Sequence, residues 1–130
     1  MTDHIYDGQA DVMFVDRYST VTKRRLGFEL KHSHRYSHDC PLCVFSRKHI
    51  LQLFRHLDGS YVVPSGSALI ETPPAKTLYY PKASDGGLDW FITMLASNFE
   101  TTFASAHVQT FGIEDLDSGD YVEHEFIGEH

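Results

Sequence analysis

The chain has 130 residues, of which 42% are hydrophobic and 22% are charged, and its formal net charge is −7. This length and composition suit one globular domain, and they exclude a disordered protein, a collagen-like fibre and a disulfide-dense miniprotein. Nine Phe, seven Tyr and one Trp are enough to fill one hydrophobic core.

The first half of the chain predicts two strands and a helix. Residues 9–16 and 20–31 are predicted as strands, because apolar side chains run or alternate along them. Residues 42–57 are predicted as a helix, since apolar side chains recur there every three or four positions. Pro41 and Gly59 suit the two ends of that helix.

The second half predicts more strands around a second helix. Residues 61–71 are predicted as a hairpin and 77–80 as a short strand. Residues 88–105 carry the best amphipathic helical pattern, and 107–127 read as a closing acidic hairpin. Regular βαβ alternation is missing, so we expect an α+β fold in a single domain over residues 1–130. Its sheet is predicted to be mostly antiparallel, with about five to seven strands and two amphipathic helices.

Compartment and membrane contact follow from the hydropathy pattern. No apolar run approaches the roughly 18 residues that a membrane span needs. Residues 1–8 are polar and carry two Asp, which does not suit a signal peptide. The sequence therefore predicts a cytoplasmic protein with no membrane partner.

Charge is segregated along the chain. Residues 1–57 hold nine of the eleven basic residues and six acids, for a net charge of +3, whereas residues 58–130 have a net charge of −10. An acidic face of this kind speeds association with a basic protein surface. This predicts a small acidic binding or regulatory protein of the inhibitor, immunity or anti-defence type, which acts by occupying a protein partner that has a basic surface. The predicted contact residues are Glu114, Asp115, Asp117, Asp120, Glu123 and Glu125.

The basic segment, residues 17–56, supports a different interpretation of the charge pattern. Aromatic residues alternate there with basic ones, a composition that can contact phosphates and stack on bases. The alternative is therefore a zinc-dependent nucleic-acid-binding protein, although the negative total charge makes nucleic acid the less favoured partner. Its predicted contacts are Lys23, Arg24, Arg25, Arg35, Arg47 and Lys48. A third reading is that the two halves neutralise each other within one fold.

The densest chemical signal is the His/Cys-rich loop at residues 31–43. Its residues 32–43 contain five nitrogen or sulfur donors in twelve positions, and a tetrahedral zinc site needs four such donors. The predicted cofactor is therefore a structural zinc ion. The predicted ligands are His34, His38, Cys40 and Cys43, with His32 or His49 as substitutes.

The same cysteines allow a further alternative, a thiol–disulfide oxidoreductase that uses Cys40-Pro-Leu-Cys43. A Cys-Pro-x-Cys sequence at the start of a helix resembles glutaredoxin-like active sites, where the helix end stabilises a thiolate. The hydrophobic strand that precedes such a site is replaced here by the polar segment 33–39. An incidental His-rich loop with free thiols is the remaining interpretation.

Overall fold

A computed structural model describes residues 7–16, 18–64, 71–80 and 87–126 of the chain. Within these ranges the chain forms six strands and two helices. In chain order they are β1 (Gly8–Val15), β2 (Val21–His32), α1 (Pro41–Leu57), β3 (Tyr61–Pro64), β4 (Thr77–Tyr80), α2 (Leu88–Ser105), β5 (Val108–Asp115) and β6 (Tyr121–Glu125).

The six strands form one mixed sheet in the order β4-β3-β1-β2-β5-β6. The pairs β1–β2, β2–β5 and β5–β6 are antiparallel, whereas β3 runs parallel to both β1 and β4. The connection from β2 to β3 passes through α1, which packs on β1. The predicted α+β class is thus confirmed, with the difference that the sheet is mixed.

Helix α1 buries one stripe of side chains against the sheet. Cys40 precedes its first residue, Pro41, whose missing N–H suits a first turn without an intrahelical acceptor. The buried side chains are spaced by three or four positions, as one face of a helix requires. They are Cys43, Ser46, Ile50, Phe54 and Leu57.

The helix ends where it meets β1. Gly59 has a φ of +76°, a left-handed conformation that favours glycine. Its N–H donates to the carbonyl of Asp11 at 2.6 Å, and the carboxylate of Asp58 accepts from the N–H of Asp11 at 2.9 Å. The end of α1 is therefore fixed to the sheet by hydrogen bonds in both directions.

Helix α2 packs mainly on β5 and β6. The ring of Phe103 lies 6.4 Å from that of Phe111 and 5.4 Å from that of Phe126. The ring of Phe54 on α1 also lies 6.4 Å from Phe111. Because both helices reach the same β5 residue, they cover the same face of the sheet and enclose one hydrophobic core.

The predicted elements agree with the structure to within one or two residues along most of the described chain. The bounds of β4 and α2 are the predicted ones, and β5 and β6 form the predicted closing hairpin. The prediction of a hairpin over residues 61–71 differs from the structure. β3 has β1 and β4 as its two neighbours, both parallel, while residues 65–70 lie outside the described residues.

A register shift marks the end of β2. The antiparallel pairing of β2 with β5 is regular up to Lys31 and shifts before His32, which pairs with Val108. Such irregularities bend a strand and change the direction of its side chains. Here the shift lies where β2 enters the His/Cys-rich loop.

Candidate metal centre

The loop between β2 and α1 is held in place by contacts with three other parts of the chain. The N–H of Ser33 donates to the carbonyl of His107, just before β5, at 2.8 Å. The guanidinium of Arg47 on α1 lies 3.6 Å from the ring centre of Tyr36. Arg47 also pairs with Asp7 at 3.2 Å, and Asp7 accepts a hydrogen bond from the backbone of Leu30.

Three of the predicted donors converge at this loop. The ligand atoms of His34, Cys40 and Cys43 all lie within 4.8 Å of one another. The sulfur of Cys43 is 3.3 Å from Nε2 of His34. Cys43 is buried, Cys40 is half-buried and His34 is exposed, so the cluster reaches from the protein interior to the solvent.

The two thiols of the cluster have pKa values displaced in opposite directions. Hydrogen bonding from the backbone N–H of Cys43 is the main cause that lowers the pKa of Cys40 to about 7. Burial raises the pKa of Cys43. Cys40 is therefore the thiol that ionises first, and at neutral pH a large share of it is already the thiolate that a metal needs.

This difference gives a prediction for the metal-free protein. The alkylation rate of Cys40 by iodoacetamide should rise with pH around a midpoint of about 7. Since only the thiolate reacts, alkylation should slow as the pH falls below that value. In a Cys40→Ser variant only slow modification of the buried Cys43 should remain. Mass spectrometry of the modified protein across pH 5–10 measures both, and a midpoint near the ordinary value of about 8.5 would contradict the prediction.

The donors present suit a zinc ion. Zinc accepts thiolate sulfur and imidazole nitrogen at about 2.0–2.3 Å, which places tetrahedral ligand atoms roughly 3–4 Å apart. The 3.3 Å separation of Cys43 and His34 agrees with that spacing. One imidazole and two thiolates make three ligands. The predicted zinc cofactor is therefore confirmed to this extent: the chain has a His/Cys cluster that can hold a metal.

His32 lies next to this cluster and carries a buried acceptor. Its Nε2 is 3.0 Å from the hydroxyl oxygen of Ser46, and that hydroxyl donates to the carbonyl of Cys43. Its Nδ1 is buried and has no hydrogen-bond partner among the described residues. Burial, and then the charge of Arg47, lowers the pKa of His32, which keeps the imidazole neutral.

The other predicted ligands lie outside the three-donor group. His38 is exposed, and its Nδ1 is 3.4 Å from the hydroxyl of Tyr36. His49 is stacked on Phe45 and lies edge-on to Phe99, within the contact between the two helices. These two histidines therefore pack against aromatic rings in this structure.

Sequence reasoning missed several residues that surround the cluster. The ring of His107 lies 5.6 Å from that of His34, although 73 positions separate them in the chain. His107 also has a left-handed φ of 60°, which is uncommon for a residue other than glycine. Ser46 was hidden by its helical position, where a buried serine looks like an ordinary spacer, and Arg47 was predicted only as a nucleic-acid contact.

The predicted acidic contact residues lie on β5, β6 and the turn between them. Asp115 is buried and accepts hydrogen bonds from the backbone of Asp117 and Ser118, so it builds the turn. Glu123 accepts a hydrogen bond from the hydroxyl of Tyr121, which is the main cause that lowers the pKa of this carboxyl. Glu114 is half-buried, and the exposed acids of this group are Asp117, Asp120, Glu123 and Glu125.

The predicted nucleic-acid contacts are largely engaged within the fold. Lys23 pairs with Asp11 at 3.4 Å, and Arg25 pairs with Asp117 of the acidic turn at 3.5 Å. Arg24 lies over the ring of Phe14, whereas Arg35 and Lys48 are exposed. The basic and acidic halves thus meet in one sheet, where Lys31 and Glu123 also pair.

Comparison with known proteins adds the identity of the fold. No protein-family model and no curated protein matches the chain. Among solved structures, 6-pyruvoyl tetrahydropterin synthase of Plasmodium falciparum matches with a TM-score of 0.55 and 11% identity, over 92% of this chain and 93% of that one. A catalytic-residue mutant of the Plasmodium vivax synthase matches with a TM-score of 0.55 and 9% identity, over 90% and 91% of the two chains.

The chain has the 6-pyruvoyl tetrahydropterin synthase fold. This finding overturns the predicted function. The prediction of a binding protein that acts by partner occupancy is wrong, because the fold over nine-tenths of the chain is that of an enzyme. The nucleic-acid-binding alternative is wrong for the same reason, and the thiol–disulfide alternative is wrong because the matching fold is that of a synthase. A basic protein partner for the exposed acids stays a prediction.

Neither of the two described helices is both long and apolar enough to cross a bilayer. The cytoplasmic location and the absence of a membrane partner stay predictions.

Proposed function

We propose that this protein is a zinc-dependent enzyme whose metal is held by His34, Cys40 and Cys43. The observation that carries the proposal is the three-donor cluster, in which one nitrogen and two sulfur atoms lie within 4.8 Å of one another. Zinc sites with three protein ligands and an open fourth position are the catalytic type, whereas structural sites use four protein ligands. The fold shared with a synthase supports an enzymatic role.

The surroundings of the cluster support a site that admits a small molecule. His34 is exposed, so the cluster is open to solvent on that side. The rings of His32, Tyr36 and His107 lie around it and offer nitrogen and hydroxyl groups. A zinc ion held there supplies Lewis-acid polarisation of a bound oxygen. The chain's own residues position that molecule and offer hydrogen bonds to it.

The open fourth position gives a test that needs no known substrate. Metal-free protein is titrated with Co²⁺, which can report zinc sites through its visible absorption. We expect saturation at one equivalent, with a band from cobalt–thiolate bonds. Azide added afterwards should change the spectrum, because it enters the open position. A spectrum that azide leaves unchanged would indicate a closed site with four protein ligands and would contradict the proposal.

Reduced pterins are the first substrates to test, because the matching structures are named for 6-pyruvoyl tetrahydropterin. We expect turnover by the zinc-loaded protein and none after removal of the metal by a chelator. A His34→Ala variant serves as the negative control, since it removes one donor of the cluster and is exposed.

A further inference from the structure

A chain of hydrogen bonds connects helix α1 to the half-buried imidazole of His32 beside the cluster. The hydroxyl of Ser46 donates its proton to the carbonyl of Cys43 at 3.0 Å. Having no second proton, the Ser46 oxygen accepts from Nε2 of His32, also at 3.0 Å. This network assigns the Nε2–H tautomer to neutral His32, which leaves Nδ1 unprotonated.

We propose that Ser46 is a positioning residue that fixes this tautomer, so that Nδ1 of His32 accepts a hydrogen bond from a hydroxyl or N–H group of the molecule bound at the metal centre. This inference rests on the proposed function. The inference implies a class of ligand, namely a molecule that carries a hydrogen-bond donor beside the atom that binds the metal.

The placement of His32 fits an acceptor better than a metal ligand. Its nitrogen atoms do not join the group of donors that lie within 4.8 Å of one another, among the residues the structure describes. Its ring centre is 6.3 Å from that of His34 and 5.7 Å from that of Tyr36. His32 therefore lies beside the donors without being one of them.

The buried Nδ1 also points to a missing partner. Buried polar atoms in native proteins are nearly always hydrogen-bonded, because an unpaired one has lost water without replacement. Nδ1 of His32 has no such partner among the described residues. The register shift before His32 turns this side chain from the regular pattern of β2, and the fully buried Ser46 then holds it.

The test reads the tautomer directly in the metal-free, full-length protein. Ring ¹⁵N shifts of His32 distinguish a protonated nitrogen from an unprotonated one. We expect wild-type protein to show Nε2–H and a bare Nδ1. In Ser46→Ala the ratio of this tautomer to the other should fall about fivefold to tenfold, the effect of one lost hydrogen bond.

Ser60→Ala is the matched control. Ser60 is also fully buried, and its hydroxyl also donates to a carbonyl of α1, that of His56 at 3.2 Å. This variant should leave the His32 shifts unchanged. Equal tautomer ratios in wild type and Ser46→Ala would overturn the inference, as would an equal change in both variants.

A second spectrum, of zinc-loaded wild type, separates an acceptor from a ligand. We expect Nδ1 of His32 to keep the shift of an uncoordinated nitrogen. A shift typical of a metal-bound nitrogen would make His32 a ligand and overturn the inference. If the tautomer is fixed as expected but zinc does not bind, the proposed function fails, which separates the two failures.

Discussion

Zinc is expected to raise the midpoint of thermal unfolding of the wild-type protein and to leave His34→Ala and Cys43→Ser without a response. A ligand that binds only the folded state stabilises it by about 2.7 kcal/mol at a concentration one hundred times its dissociation constant. For a chain of this length that is a shift of several degrees. Thermal scans of chelator-treated protein, with and without added zinc, measure the difference within each variant.

The comparison within each variant separates metal binding from folding. Cys43 is buried, so its replacement also lowers the stability of the metal-free protein, whereas His34 is exposed. His38→Ala is the matched control, because His38 is an exposed histidine of the same loop whose ring packs on Tyr36. It should respond to zinc as wild type does. A lost response in His38→Ala would make His38 a ligand, and a retained response in His34→Ala would exclude the cluster as the binding site.

The elements of this fold were predictable because their signals are local. In α2 the apolar side chains Leu88, Phe91, Ile92 and Leu95 recur at helical spacing, and all four are buried. In β2 the alternation of Leu26, Phe28 and Leu30 reflects a strand with one covered face. A periodicity of this kind depends only on neighbours in the chain, so the sequence contains it directly.

The parallel pairing of β3 was not predictable in the same way. Tyr61 and Val62 pair with Met13 and Phe14 of β1, nearly fifty positions away, and α1 lies between them. A short apolar run followed by Pro64 looks the same whether its partner is antiparallel and near or parallel and distant. The energy that decides between the two comes from the packing of α1 on β1, which no local pattern records.

In the candidate site, too, residues close together in the chain were predictable and residues brought together by the fold were not. His34, Cys40 and Cys43 lie within ten positions, so their spacing alone indicated a metal. His107 reaches the site through the end of α2, and Ser46 reaches it through burial on α1. The charge pattern was misleading for a related reason: Arg25 and Asp117 lie far apart in the chain, yet Arg25 on β2 pairs with Asp117 in the turn after β5. The basic and acidic segments that suggested two partner surfaces therefore neutralise each other in part within the fold.

Phe103→Ala is expected to be among the most destabilising single substitutions in the described chain. Its side chain is fully buried and contacts rings from four directions: Phe99 on α2, Phe111 on β5, Phe126 after β6 and His49 on α1. Replacing a buried Phe by Ala costs about 3–5 kcal/mol, because it removes apolar contacts and leaves a cavity. Natural domains have a free energy of unfolding of about 5–15 kcal/mol in total, so the variant should be partly unfolded under mild conditions.

Phe45→Ala provides the matched control for this loss. Phe45 is also a helical phenylalanine that contacts His49, but 48% of it is exposed. Its replacement should lower the free energy of unfolding by about 1 kcal/mol or less, as is usual for a partly exposed side chain. Urea denaturation followed by circular dichroism measures both variants. Equal losses in the two variants would mean that the buried Phe103 contributes no more to stability than the partly exposed Phe45, and would contradict the prediction.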